Sequence, residues 1–257
     1  MLFAADIGNS SISFGVFDDG GRLLLKSKVE AVKARSADEY AVLFRDILSL
    51  YRFDSANISG GIVCSVVSPL TGTVCAAIGR LFGIRPMEVG PGVKTGLNIK
   101  IDLQAQLGAD IVANAVAAAA LAEPPLVIVD FGTATTFTVI NRQGVLEGVV
   151  ICPGVRVSLD ALAQSGAELP DVSVAPPRRL IGKNTQDSMR AGVLYGHAAM
   201  TDGLIDRIRG GLGERQLGVL ATGGLADAVL PYCREQAEHR PDLTLEGLQL
   251  LWLKNRK

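Results

Sequence analysis

The feature that most constrains this chain is an internal repeat. "LFAADIGNSSISFGVFDDGGRLLLKS" near the start and "LVIVDFGTATTFTVINRQGVLEGVV" near the middle share one layout. Each is an apolar run ending in Asp, followed by x-Gly and small hydroxyl or amide residues. A β-rich run, a polar turn and a third run follow. Gly20 of the first turn lies 14 residues after Asp6, and Gly144 of the second lies 14 after Asp130. Alternation and β-branched content predict three strands in each copy. A duplicated unit at half-chain spacing predicts two similar α/β halves.

The repeat also carries a chemical reading. Gly8 and Gly132 let the backbone turn tightly and approach a ligand. Asn9, Ser10, Thr133 and Thr135 offer side-chain donors beside backbone N–H groups, an arrangement suited to phosphate oxygens. Asp6 and Asp130, at strand ends, can hold a cation or its waters. One Asp-x-Gly alone reads as an ordinary hairpin, whereas two in matching context read as a duplicated nucleotide clamp.

Between the copies, "SADEYAVLFRDILSLY" predicts a helix with Ser36 or Asp38 near its start. "GGIVCSVV" is a buried strand, "LTGTVCAAIGRLF" a helix, and "GPGVKTGLNIKID" a loop leading into a short extended segment. "LGADIVANAVAAAALA" is an alanine-rich helix with Asp110 near its head. Pro124 and Pro125 forbid its continuation, and the break divides the chain into domains 1–122 and 123–257. Further on, "PGVRVSLDALAQS" and "TQDSMRAGVLYGHAAMTDGLIDRI" read as helices. "LGVLATGG" is a strand whose Gly223 and Gly224 either admit an adenine or ribose or form a tight strand-to-helix turn. "LTLEGLQLLWLKN" reads as a short strand and a closing helix.

Composition excludes several classes. The net charge of −1 leaves no electrostatic footprint for nucleic acid or an anionic membrane. No apolar run approaches the roughly 20 residues of a membrane span. The N-terminus lacks a basic region and carries Asp6 in its apolar start, so it reads as a first strand and not a signal peptide. The four cysteines are dispersed without a C-x-x-C pair, against zinc or a disulfide framework. Cys64 and Cys152 lie in apolar runs and read as small core residues. The expectation is a soluble cytoplasmic protein. His197, mid-helix, and His239, in a polar loop, have no partner at ligand spacing. The small residues of "GVLYGHAAMTDGLIDRI" suit close packing, either within the chain or across a dimer seam, and Asp202 beside them reads as a solvated charge.

With "DIGNSS", "CSVVSPL", "GPGVKTGLNI", "GADIVANAVAA", "DFGTATTF", "CPGV", "IGKNT", "ATGGLA" and "LTLEGLQLL" in this order, the chain resembles type III pantothenate kinases nearly end to end. These belong to the acetate-kinase, sugar-kinase, Hsp70 and actin-like superfamily. The resemblance implies an α/β fold of two ribonuclease-H-like (actin-like ATPase) domains with a duplicated β-β-β core and ATP in the cleft. It implies transfer of the γ-phosphoryl group of ATP to pantothenate, with Mg2+, a monovalent cation (K+ or NH4+) and a homodimer. By motif, Asp6, Ile7, Gly8, Asn9, Ser10, Ser11, Ile12 and Ser13 match the first phosphate loop and Thr133 the second. Asp130 matches the monovalent-cation position, and Asp110 the general base. Gly108, Ala109, Asp110, Ile111 and Thr185 match the substrate side.

A carboxylate that takes the acceptor's proton contributes about 10²–10⁴-fold. As a plain first-turn acid, Asp110 would stabilise its helix by roughly 0.3–1 kcal/mol. Three positions depart from the family pattern. Ile111 stands where the family has Arg, Ile101 precedes Asp102 where it has Tyr, and Thr138 stands where it has Asp. The first matters most, because Arg binds a carboxylate bidentately and isoleucine cannot.

Overall fold

The computed structural model describes residues 1–102, 107–166 and 168–256. Strands β1 (Leu2–Ile7), β2 (Ser11–Phe17), β3 (Leu23–Glu30), β4 (Gly60–Ser65) and β5 (Met87–Glu88) form a five-stranded sheet in the order β3-β2-β1-β4-β5. A second sheet contains β6 (Asn98–Ile99), β7 (Leu126–Phe131), β8 (Ala134–Ile140), β9 (Val145–Pro153), β10 (Gly218–Thr222) and β11 (Glu238–His239). Its order is β11-β10-β7-β8-β9-β6. Read from the other edge, β9-β8-β7-β10-β11 repeats the first sheet, with β6 added outside β9. The pairing senses repeat too: β1–β2 and β7–β8 are antiparallel, β1–β4 and β7–β10 parallel.

The duplication extends to burial. β1 and β7 show the same pattern of covered and half-covered residues, as do β2 and β8. In both copies the register slips near the end of the second strand, at Val16/Phe17 and at Val139/Ile140. The copies differ by one residue. Ile7 pairs with Ile12 across four loop residues, but Phe131 pairs with Thr135 across three. The left-handed turn glycines shift accordingly and are Gly21 (φ 86°) and Gly144 (φ 73°). Gly21, not Gly20, is therefore the structural counterpart of Gly144.

The helices are α1 (Ala37–Leu50), α2 (Ser68–Phe82), α3 (Ala109–Leu121), α4 (Val155–Ser165), α5 (Thr185–Gly211), α6 (Ala226–Val229) and α7 (Leu243–Asn255). Ser36 caps α1 in a reciprocal box with Glu39, satisfying two otherwise orphaned N–H groups. One core joins Phe3, Ile7, Ile12 and Phe14 to Tyr40 and Phe44 of α1 and Val74 and Ile78 of α2. The other joins Val127, Phe131 and Phe137 to Val155 and Leu159 of α4 and Val193 and Ala198 of α5.

By packing, the chain forms two interleaved compact units. The first holds Met1–Gly96, Asp102–Ala117 and Asp242–Lys257; the second holds Leu97–Ile101 and Ala118–Pro241. The sequence suggested a single division at 122/123, but α7 packs with the first sheet. A side chain at Gly15 would strike Leu245, one at Gly60 would strike Trp252, and one at Gly247 would strike the Ala113 carbonyl. "LTL", expected as a strand, is instead the first turn of α7. Three residues of alternation cannot separate strand from helix, and the burial of Leu243, Leu245, Leu248 and Leu251 decides. His239, expected in a loop, extends the second sheet beside Ala221.

Candidate active site

The first Asp-Gly loop follows β1. The Gly8 N–H donates to the Ser11 carbonyl at 2.9 Å, closing the turn and leaving Asn9 and Ser10 exposed. Ser11 and Ser13 are half-buried, whereas Ile7 and Ile12 lie fully in the core and offer only backbone groups. Asp6 sits half-buried at the strand end, in register with Ser13 on one side and Cys64 on the other. The Cys64 thiol donates to Asp6 Oδ1 at 3.2 Å. Burial pushes that thiol well up, Asp6 pushes it further, and Asp110 adds to the effect. Cys64 is buried, as an apolar run predicts, but it also touches a candidate site residue. The parallel register of β1 and β4 brings it there, and that register is not written in either strand alone.

Asp110 is the second residue of α3. Its Oδ1 accepts from the Ile111 N–H at 2.8 Å, so it satisfies a first-turn donor as expected of a helix-start acid. Burial nevertheless raises its carboxyl above the ordinary range, outweighing the pull of the Ile111 and Asp110 N–H groups. A raised carboxylate is a stronger base at neutral pH. Gly108 leaves room for it, since a Cβ there would lie 2.4 Å from Asp110 Oδ1. Ala109 and Ile111 are half-buried.

The second loop follows β7. The Gly132 N–H donates to the Ala134 carbonyl at 3.1 Å, and Thr133 is exposed. Thr135 departs from its expected part, being fully buried with no partner for its hydroxyl among the described residues. Asp130 is half-buried, in register with Thr136 and Thr222. The glycine pair after β10 makes the tight turn. Gly223 has φ 95°, and a Cβ there would lie 2.4 Å from Asp130 Oδ1 and 2.5 Å from the Phe131 nitrogen. Gly224 is exposed. A further residue, unassigned from sequence, is Gly154 at the head of α4, where a Cβ would sit 2.2 Å from the Thr133 carbonyl. Its signal was the Pro-Gly pair before a helix, next to the repeat. Thr185, exposed, opens α5, capped by Asn184, which accepts from the Asp187 N–H at 2.8 Å.

Other residues resolve structurally. His197 is buried, with Nδ1 2.8 Å from the Val193 carbonyl and Nε2 3.1 Å from that of Pro153. Asp202 is not a solvated charge. It is buried and accepts the backbone N–H groups of Arg234 and Glu235 at 3.0 Å. The four cysteines are free thiols. Among the described residues no helix is long and apolar enough to cross a membrane, and no three His, Cys, Asp or Glu side chains are grouped to hold a metal. A single half-buried carboxylate at Asp6 fits Mg2+ that arrives with a nucleotide, because Mg2+ keeps waters and takes one or two carboxylates plus phosphates.

The model of one protein family, type III pantothenate kinase, matches residues 2–207. That span includes both Asp-Gly loops, Asp110 and Thr185, but not Gly223 and Gly224. The chain is 41% identical over 257 residues to a type III pantothenate kinase of Geotalea uraniireducens strain Rf4, covering 100% of both. It is 43% identical over 256 residues to one of Anaeromyxobacter sp. strain K, again covering 100% of both.

The chain belongs to the type III pantothenate kinase family.

Solved structures agree on the fold. Component A of (R)-2-hydroxyglutaryl-CoA dehydratase from Acidaminococcus fermentans superposes with a TM-score of 0.56 at 14% identity, over 96% of this chain and 94% of that one. An inorganic polyphosphate/ATP-glucomannokinase from Arthrobacter sp. strain KM gives 0.50 at 14% identity, over 99% of each. At such identities the likeness concerns fold alone, and it is the actin-like fold the duplicated sheets express. Within the family frame, a kinase of this kind uses ATP and Mg2+.

Proposed function

We propose that the chain transfers the γ-phosphoryl group of ATP to the primary hydroxyl of pantothenate, the first step towards coenzyme A. The observation that carries this reading is full-length membership of the family together with a half-buried Asp110 whose carboxyl is raised. Phosphoryl transfer depends on positioning and on neutralising charge. The first loop offers phosphate oxygens the exposed Asn9 and Ser10 and the hydroxyls of Ser11 and Ser13, the second loop offers Thr133, and Asp6 would hold magnesium through its waters. Magnesium bound there would supply charge neutralisation on the phosphates. Asp110 takes the acceptor proton. Gly223 and Gly224 match the nucleotide side by motif, residues 108–111 match the acceptor side, and Thr185 matches a substrate contact. Asp130 would hold a monovalent cation, K+ or NH4+.

A homodimer completes the reading. Gly192, Gly196, Gly203 and Gly210 fall on one face of α5, and a methyl group added at any of them would meet nothing within 4 Å. Among the described residues nothing packs against these four positions, which supports a seam with a second copy.

The test is a coupled assay of ADP release with purified protein, ATP, Mg2+, K+ and pantothenate. Turnover is expected, faster in K+ than in Na+. One observation favours a second reading, an acceptor without a carboxylate. Ile111 places an apolar, half-buried side chain next to Asp110, and hydrocarbon against a carboxylate penalises it. Turnover of an uncharged alcohol without turnover of pantothenate would establish that reading in place of the first.

A further inference from the structure

Asp6 closes the central strand of its sheet, and both neighbouring strands present a donor-bearing residue beside it. Ser13 faces it from β2 and Cys64 from β4. The second copy has the same plan, with Asp130 between Thr136 and Thr222. Cys64 and Thr222 therefore occupy one structural position, a buried site on a parallel strand next to the loop aspartate. The rest of β4 is Gly, Ile, Val and a terminal Ser, and a buried parallel strand favours Val or Ile at such a position. A donor recurs there in both copies instead. At Cys64 the contact is explicit, with the thiol donating to Asp6 Oδ1 at 3.2 Å from a side chain with 0% exposure.

A carboxylate on a strand end turns about two torsions. An S–H bond from a fully packed neighbour restricts both and fixes how the carboxylate faces the adjoining Gly8 turn. Hydrogen bonds to charged acceptors are the stronger class, so a thiol, weak towards a neutral oxygen, suffices here. We propose that Cys64 is a positioning residue whose thiol orients the Asp6 carboxylate for magnesium-nucleotide binding, in the place Thr222 holds beside Asp130. The inference rests on the reading of residues 6–13 as a nucleotide loop.

The test uses the full-length protein with Cys64→Ser, which keeps a donor, and Cys64→Val, which fills the space without one. Mg2+ with a non-hydrolysable ATP analogue is titrated by calorimetry, KM for ATP and for the acceptor are measured separately, and melting temperatures are recorded. Cys64→Val is expected to weaken nucleotide binding and raise KM for ATP about tenfold, the loss of one hydrogen bond to a charged group. The acceptor KM should stay unchanged, and Cys64→Ser should bind within about twofold of wild type. If Cys64→Val does not fold, Cys64→Ala takes its place, with the same expectation. Equal nucleotide affinity in the Ser and Val (or Ala) variants would overturn the proposal and leave Cys64 a packing residue. Absence of nucleotide binding by the wild-type protein would overturn the loop reading itself, a separate outcome.

Discussion

Asp110 combines two demands in one side chain. It satisfies the Ile111 N–H in the first turn of α3, yet burial lifts its carboxyl above the range of an unfolded aspartate. A raised folded-state pKa means the native protein holds the proton more tightly than the unfolded chain does. The associated stability is present below about pH 4, the unfolded value, and is lost as pH rises through the folded value. Ionised Asp110 thus costs stability at neutral pH. Asp110→Asn is expected to lower kcat by about 10²–10⁴-fold while raising the melting temperature at pH 7–8, with the gain fading towards pH 4. Thermal melts across pH, run beside the kinetics, check both halves, and an unchanged kcat would remove Asp110 from the chemistry. Arg52 offers a contrast in backbone geometry. It is the one non-glycine with positive φ among the described residues, at 57°. It closes a Schellman turn after α1, in which Phe53 donates to the Leu48 carbonyl and Arg52 to that of Ser49. Arg52→Gly should stabilise by about 1 kcal/mol in chemical denaturation, because it relieves the left-handed strain.

At the scale of elements, close approach governs the second loop. Gly223→Ala would place a methyl group in a left-handed turn and against Asp130 Oδ1 and the Phe131 backbone. Gly154→Ala would press on the Thr133 carbonyl without any φ penalty. Both are expected to weaken nucleotide affinity at least about tenfold, since neither backbone can move without carrying the loop. Gly223→Ala should also lose more stability, and calorimetric titration with melts separates the two. The sequence made the helices and most strands readable, because capping at Ser36, the proline break after Leu121 and period-2 runs are local signals. It misassigned "LTL" and His239, whose structure depends on what lies across from them. Equal spacing from the loop aspartates pairs Gly20 with Gly144, whereas the left-handed turn glycines are Gly21 and Gly144. Their equivalence required the pairing register, which exposes the extra residue in the first loop.

Over the whole molecule, the interleaving of the units makes the C-terminal helix part of the first sheet's core. Four leucines of α7 are buried, worth together about 6–12 kcal/mol by area burial. That rivals the roughly 5–15 kcal/mol net stability of a domain. Deleting residues 242–257 is expected to leave the first unit without native packing, seen as lost protection of β1 and β4 amides in hydrogen exchange. Retained protection would mean α7 is peripheral. The duplication, the Asp-Gly loops, Asp110 at a helix head and the family are all readable from the amino-acid order alone. Each of these is written in contiguous residues whose spacing is fixed by the chain. That Cys64 touches Asp6, that Gly154 and Gly223 crowd the second loop, that Thr135 faces inward and that α7 belongs with the first sheet emerges from the folded chain and not from any one segment. Those facts depend on strand register and on which faces exclude water together, and both arise between segments far apart in sequence.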